Sequence, residues 1–487
     1  MKEKEYSIII DEDRPFDKVH EECGVFGIVC GKDEQCLPAW EAYHALFALQ
    51  HRGQESCGIA VNDRGVLTLH KDVGLVPEVF SSEILDKMPG QMAIGHCRYS
   101  TTGSSLRENA QPILARHIKG TLALAHNGNL VNATELRKEI ELSGGIFQTT
   151  NDSEVIAHMI VRERLSSSSI EEAVYKSMHR IKGAYSIVIM SPRKMIAARD
   201  PNGFRPLCIG KRGESYIFAS ETCALDALGA EFVRDIEPGE IVTCIGGELH
   251  STFCQDKADS TTCIFEYIYF ARPDSVIDGA SVEMARQECG KYLAQTFPVD
   301  ADIVIGVPDS GIPAAIGYSK YSGIPYGVGL IKNRYVARTF IQPTQEMRER
   351  AVKIKLNALA TAVKGQRVIM VDDSIVRGTT CARIVRLLKE AGATEVHVRV
   401  SSPPFLFPCY FGTDVPDKEN LIAHNRTIEE MRDIIGADSL GFLPIEATRK
   451  LAPSARCGFC DACFSGNYPI PVPEKVEKNP FEQRLEI

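Results

Sequence analysis

No run of about 18 consecutive apolar residues occurs in the chain, so no segment is suited to span a membrane as a helix. Positive charge is in deficit as well. The 55 Lys and Arg against 64 Asp and Glu leave a net charge of −9, which argues against nucleic acid as the main partner. No internal repeat is visible. The first 22 residues hold only "YSIII" as an apolar core, too short for a secretory signal, and their many acids do not suit a transit peptide. The cytoplasm is the expected location. What remains is an ordinary globular composition, 44% hydrophobic and 24% charged, in 487 residues, a length that suits two domains. The 16 cysteines are many for a reducing compartment, where disulfides are rare. Most stand singly and read as small core residues.

Two patterns divide the chain. Short β-rich runs fill the first half, among them "CGVFGIV", "GIAVND", "GTLALAHNG", "AYSIVIMS", "MIAARD" and "SYIFAS". Helical segments such as "DSEVIAHMIVRERL" and "SIEEAVYKSMHRI" intervene. Strands adjoining strands, with helices set apart, predict an α+β layered domain. The polar stretch "CQDKADSTT" (254–262) is the expected boundary. Beyond it, "DIVIGVPDSG", "QRVIMVDDSIVRG" and "TEVHVRVSSPP" read as buried parallel strands of an α/β sheet. Such sheets bind ligands at the carboxyl ends of their strands. The tail after Tyr468 is rich in Pro, Glu and Lys and reads as extended.

In "VIMVDDSIVRGTT" (368–380) a strand delivers Asp372 and Asp373 to the sheet edge, followed by a loop of mostly small residues entering a helix. Backbone N–H groups and hydroxyls in such a loop cradle phosphate. The two carboxylates suit ribose hydroxyls and a hydrated Mg²⁺. A lone Asp-Asp pair would more simply be a turn with two solvated acids; the full string closely resembles the 5-phosphoribosyl-1-pyrophosphate (PRPP) motif of type I phosphoribosyltransferases. "GVPDSGIPAA" (306–315) is then the companion loop for pyrophosphate, and the basic "KNRYVARTFIQPTQEMRER" (332–350) a lid over a polyanion.

A thiol at Cys23 gains meaning from "HRGQESCGIA" (51–60), "GHCRYSTTG" (95–103), "AHNGNL" (125–130) and "TTNDSEV" (149–155). Together they supply an amide hydrolysis site. Cys23 attacks a carboxamide. Asn127 and the Gly128 N–H hold the oxyanion. Arg98 grips an α-carboxylate and Asp152 an α-ammonium. A well-placed histidine base is missing. An N-terminal nucleophile uses its own α-amine instead, which requires Cys23 to become residue one after cleavage between Glu22 and Cys23.

From Cys23 to about Tyr468 the chain resembles the glutamine PRPP amidotransferases (amidophosphoribosyltransferases). The glutaminase motifs alone are shared with other N-terminal-nucleophile amidotransferases; the PRPP motif excludes those. The resemblance implies a propeptide (1–22), a layered αββα glutaminase domain (23–258), a mostly parallel α/β phosphoribosyltransferase domain (259–468) and a tail (469–487). It implies that glutamine, PRPP and water yield 5-phosphoribosylamine, glutamate and pyrophosphate, with ammonia channelled between two sites when the lid closes. Cys23, Asn127 and Gly128 are then catalytic, and Arg52, Arg98 and Asp152 line the glutamine pocket. Asp309, Ser310, Gly311, Asp372, Asp373, Ser374, Val376, Arg377, Gly378 and Thr379 bind PRPP, with Ser310, Asp372 and Asp373 as the Mg²⁺ positions. Lys332, Arg334, Tyr335 and Arg338 belong to the lid, where Ala337 replaces the family's usual glycine. Feedback inhibition by purine nucleotides and a homotetramer are also implied.

"RCGFCDACFSGNYP" (456–469) spaces Cys457, Cys460 and Cys463 as overlapping C-x₂-C, which suits zinc or an iron–sulfur cluster. One branch of the family carries both a propeptide and a [4Fe–4S] cluster. Its ligands correspond to Cys263, Cys409, Cys460 and Cys463, with Cys457 the spare. The cluster is expected to be structural, because the reaction moves no electrons. Two other classes fit parts of the pattern: a catalytically silent PRPP-binding regulator and an iron–sulfur redox protein. The retained Cys23, Arg98, Asn127 and Asp152 argue against the first.

Overall fold

The computed structural model describes residues 23–32, 36–99, 106–254, 259–333, 356–413, 415 and 418–473. The leader 1–22, the lid residues Arg334, Tyr335, Ala337 and Arg338, and the tail beyond 473 lie outside the described residues.

The first half is a sandwich of two antiparallel sheets. One has seven strands in the order Glu231–Asp235, Cys208–Arg212, Ser215–Ala219, Gly24–Val29, Met92–Arg98, Ser56–Asp63, Val66–Val73. The other has six: Glu248–Phe253, Glu240–Ile245, Met195–Arg199, Gly183–Met190, Gly120–Leu130, Ile113–His117. Val25, Ala60, Ile94, Ala125, Val188 and Phe218 fill the space between the sheets. The outer face of the first sheet is covered by the helix Pro38–Ala48, through Ala42, Ala45 and Leu46. The helices Ala133–Leu142, Asp152–Ser166 and Ile170–Met178 cover the second. Central strands such as Gly183–Met190 are buried at every residue, so they read as unbroken apolar runs. The layers are therefore αββα, as the sequence predicted.

The second half has a four-stranded, all-parallel sheet: Ile303–Gly306, Arg367–Asp372, Glu395–Val400, Ser439–Phe442. The helices Val282–Thr296 and Gly311–Ser322 pack together closely. A Cβ on Gly290 would meet the Ala314 carbonyl at 1.8 Å. Among the described residues, no helix is long and apolar enough to cross a membrane.

The halves are stitched by buried charge. Arg199 makes a two-pronged contact with Asp278, at 2.8 and 2.9 Å, and also donates to the Gly203 and Ile236 carbonyls. The strand Thr261–Cys263 pairs in parallel with Gly458–Cys460, so the boundary segment and the late cysteines are neighbours. One finding departs from the reading of singly placed cysteines. Cys30 and Cys36 form a disulfide between the end of the first strand and the start of the first helix. Their Cα atoms lie 5.9 Å apart, within the range a disulfide bridges.

Candidate active sites and a cysteine-lined cavity

The first site sits at one edge of the sandwich. Gly24 pairs with Cys97, so antiparallel register sets Cys23 opposite Arg98 at the ends of neighbouring strands. The Cys23 thiol is buried and donates to the Tyr99 carbonyl at 3.4 Å. Asn127 and Gly128 come from the facing sheet, on the strand Gly120–Leu130. Asn127 is 1% exposed, yet neither of its amide atoms has a hydrogen-bond partner among the described residues. A buried amide left unsatisfied costs about 1–3 kcal/mol, so its retention marks a place for a ligand group. Asp152 opens the helix Asp152–Ser166; its Oδ2 accepts from the Leu130 N–H at 2.8 Å. That ties the acid to the strand carrying Asn127 and Gly128.

Gly128 has φ +142°, and a Cβ there would lie 2.0 Å from the Ala184 carbonyl oxygen. Gly128→Ala is therefore expected to displace the oxyanion N–H. Glutamine hydrolysis should fall about 10²-fold or more, while synthesis from added ammonia persists. Paired assays with glutamine and with an ammonium salt check this.

The nearby histidines are committed to structure. His96 Nε2 bonds the His126 carbonyl at 2.9 Å, and burial lowers the His96 pKa to about 3. His126 Nδ1 pairs with the Ser153 hydroxyl at 3.0 Å, and burial lowers its pKa too. Arg52 is fully buried behind Cys23. Its Nε donates to the Cys23 carbonyl at 3.1 Å, and its Nη atoms to Glu221 and Glu266. Sequence reasoning missed both of these acids. The one available signal was Glu266 standing alone in the apolar run "IFEYIYF".

The second site lies at the carboxyl edge of the parallel sheet. The strand Ile303–Gly306 leads into Asp309, Ser310 and Gly311, and its neighbour Arg367–Asp372 into Asp373 and Ser374. Asp373 is fully buried and accepts from the hydroxyls of Ser310 and Ser374. Asp372 accepts from the Asp373 N–H at 2.9 Å. Gly378, with φ +88°, turns the loop into the helix Thr379–Glu390, leaving Thr379 and its N–H at the helix start. The Val376 side chain is buried in the core, so this residue can face a ligand only through its backbone. Arg377 is half-buried. Lys332, at the described end of the lid, reaches Asp309 Oδ2 at 3.0 Å.

The third site is a cavity lined by Cys263, Cys409, Cys460 and Cys463 with Phe204, Phe411 and Tyr468. Cys263 and Cys460 are register partners across the parallel strand pair. Burial raises the Cys463 pKa, and Cys409, Cys263 and Cys460 raise it further. Cys457 faces elsewhere. Its pKa rises to about 12 through burial and the nearby Asp278, and it also hydrogen-bonds Thr262. Side chains alternate along a strand, so Thr262 and Cys263 point to opposite sides, and Cys457 lies on the Thr262 side. Among the described residues, no group of three or more His, Cys, Asp or Glu side chains is arranged to hold a single metal ion.

Residues 96–227 match a glutamine amidotransferase domain model and residues 282–402 a phosphoribosyl transferase domain model. Over 459 residues the chain is 50% identical to the amidophosphoribosyltransferase of Bacillus subtilis, covering 93% of this chain and 95% of that protein. The amidophosphoribosyltransferase of Archaeoglobus fulgidus is 49% identical, with 93% and 98% covered. The solved structure of the B. subtilis glutamine PRPP amidotransferase, complexed with ADP and GMP, superposes with a TM-score of 0.87 at 49% identity. The match covers 94% of this chain and 99% of that one.

Proposed function

Because the chain belongs to the amidophosphoribosyltransferases, and so carries out glutamine-dependent amidotransfer to PRPP in purine synthesis, we propose how its own residues divide that work. Cys23 becomes the first residue after removal of the leader, and its α-amine takes the thiol proton. The thiolate attacks the glutamine carboxamide. Asn127 and the Gly128 N–H receive the oxyanion, the amine returns its proton to the departing ammonia, and water then hydrolyses the glutamyl thioester to glutamate and the free thiol. Arg98 and Asp152 hold the α-carboxylate and α-ammonium. The observation that carries this reading is the buried Asn127 amide with no partner among the described residues, set on the sheet facing Cys23.

At the second site, backbone N–H groups and hydroxyls of Ser374 to Thr379 cradle the 5′-phosphate. Asp372 and Asp373 orient the ribose, and Asp309 to Gly311 meet the pyrophosphate. Ammonia travels from Cys23 under the closed lid of 332–350 and displaces pyrophosphate at the anomeric carbon. The donor set fits Mg²⁺: Ser310, Asp372 and Asp373 offer only oxygen side chains, and Ser310 and Asp373 are joined by a hydrogen bond. The ion supplies neutralisation of the departing pyrophosphate charge.

The cysteine cavity fits a [4Fe–4S] cluster held by Cys263, Cys409, Cys460 and Cys463. Four thiol side chains converge on one cavity walled by aromatic rings, and thiolates are the donors that hold such clusters. The cluster supplies a structural crosslink. Purine nucleotides act as feedback inhibitors, and the working form is a cytoplasmic homotetramer. The B. subtilis relative's complex with ADP and GMP supports nucleotide binding.

The test is glutamate release, measured with and without PRPP, on wild type and Cys23→Ala. The wild type should be stimulated by PRPP. Cys23→Ala should lose glutamine-dependent synthesis, keep its leader in the intact mass, and still use ammonia. Full glutamine-dependent activity in protein whose first residue is Met1 or Lys2 would refute the N-terminal-nucleophile assignment.

A further inference from the structure

Between the two sites runs an unbroken set of buried polar contacts and tight helix packing. At the PRPP end, Ser310 donates to Asp373 and stands at the start of the helix Gly311–Ser322. That helix lies against Val282–Thr296 with no room for a side chain at Gly290 or at Gly317, where a Cβ would meet the Gln287 carbonyl at 2.0 Å. From Val282–Thr296, the buried Arg286 donates to three carbonyls: Tyr267 at 2.9 Å, Tyr269 at 2.8 Å and Ala271 at 2.6 Å. Burial lowers the Arg286 pKa, and Asp373 leads the charges that oppose this. The three carbonyls belong to the wide helical turn Glu266–Phe270 and the residue after it.

Glu266, fully buried at the start of that turn, grips Arg52 with both oxygens. Nη1 donates to Oε2 at 3.0 Å and Nη2 to Oε1 at 2.7 Å. Arg52 Nε donates in turn to the carbonyl of Cys23 at 3.1 Å. The guanidinium is planar, so a two-pronged carboxylate fixes its plane and with it the direction of the Nε–H. Glu221, from the glutaminase half, holds Arg52 on its own side. Arg52 is therefore anchored by one acid of its own half and one acid of the other. A shift of the Glu266 turn relative to the sandwich must turn the guanidinium or stretch its bond to the nucleophile's backbone.

We propose that Glu266 is the positioning residue through which the phosphoribosyltransferase half sets the geometry of Cys23, with Arg286 holding the turn that carries it. This rests on the reading above, in which glutamine hydrolysis answers to PRPP at the second site. Contiguity alone does not establish coupling, so the test separates the two reactions.

Glu266→Gln keeps the shape and removes the charge. Glutamate release in the presence of PRPP should fall about tenfold, through kcat, and its stimulation by PRPP should be lost. Phosphoribosylamine synthesis from ammonia should stay within about twofold of wild type, with the KM for ammonia unchanged. Arg286→Lys keeps a cation but cannot span three carbonyls, and it should lower PRPP stimulation in the same direction. It carries the test by itself if Glu266→Gln does not accumulate as folded protein. Unchanged PRPP stimulation, or an equal loss with glutamine and with ammonia, would overturn the proposal; the latter would mean a merely structural role. Wild type run in parallel reports on the underlying reading. If it makes no phosphoribosylamine from either nitrogen source, that reading falls first and this proposal with it.

Discussion

Asp373→Asn is expected to lower phosphoribosylamine synthesis by about two orders of magnitude or more, whether nitrogen comes from glutamine or from ammonia. Asp373 is fully buried, with its two oxygens accepting from Ser310 and Ser374. An amide at this position has one acceptor oxygen, so one of the two hydroxyls loses its partner. Both hydroxyls belong to loops that hold PRPP in the proposed site, so the pyrophosphate loop and the phosphate loop would lose their common anchor. The negative charge is lost as well, and with it the proposed hold on Mg²⁺. Asp372→Asn should act in the same sense, because Asp372 braces the Asp373 N–H. The ammonia arm is decisive. Asp373 also counters the charge of Arg286, so a loss with glutamine alone could arise through the nucleophile's support. A loss with ammonia cannot. Near-normal ammonia-dependent turnover in both variants would overturn the PRPP assignment, and steady-state rates with the two nitrogen sources settle it.

Much of the fold was legible because it is locally encoded. The run "AYSIVIMS" became Gly183–Met190, buried at every position, and "VIMVDD" became the strand that ends at Asp372. The polar groups of both sites sit at strand ends or helix starts, where Gly, Asp and Ser leave a visible trace. What could not be read depends on contacts distant in sequence. Arg52 lies 169 residues from Glu221 and 214 from Glu266. Its motif suggested a glutamine ligand, and the structure adds that Glu221 and Glu266 hold its guanidinium against the Cys23 carbonyl. Cys457, Cys460 and Cys463 are equally spaced, so spacing alone cannot rank them. Their orientation follows from the pairing of Gly458–Cys460 with Thr261–Cys263, which no local pattern announces. The Cys30–Cys36 disulfide links two cysteines separated by the polar stretch "GKDEQ", where no local pattern announces a bond.

Replacing Cys460 or Cys463 by Ser is expected to leave a colourless, less stable protein, whereas Cys457→Ser should stay brown. The difference follows from placement. Cys460 and Cys463 line the same cavity as Cys263 and Cys409, while Cys457 faces Thr262 and Asp278. A cluster there would tie the boundary strand to the C-terminal segment, and the loop closed between Cys263 and Cys463 is long, which favours a large effect on the unfolded chain. The effect should also reach glutamine hydrolysis. Cys263 lies three residues before Glu266, which grips Arg52. Cys409 precedes Tyr410, whose carbonyl accepts from Asn129 at 3.0 Å, beside the oxyanion strand residue Gly128. Phe411, on the cavity wall, receives Arg205 at its carbonyl, and Arg205 faces Glu266 at 3.5 Å. Loss of the cluster would thus free two supports of the first site together. Exposure to air should bleach the protein, lower glutamine-dependent activity before ammonia-dependent activity, and raise protease sensitivity. Metal analysis should find about four irons and four sulfides per chain. Zinc without iron would remove the cluster and leave the amidotransferase assignment standing. A colourless Cys457→Ser beside a brown Cys463→Ser would mean that the wrong cysteine was set aside, and that the strand pairing differs in the metal-loaded protein.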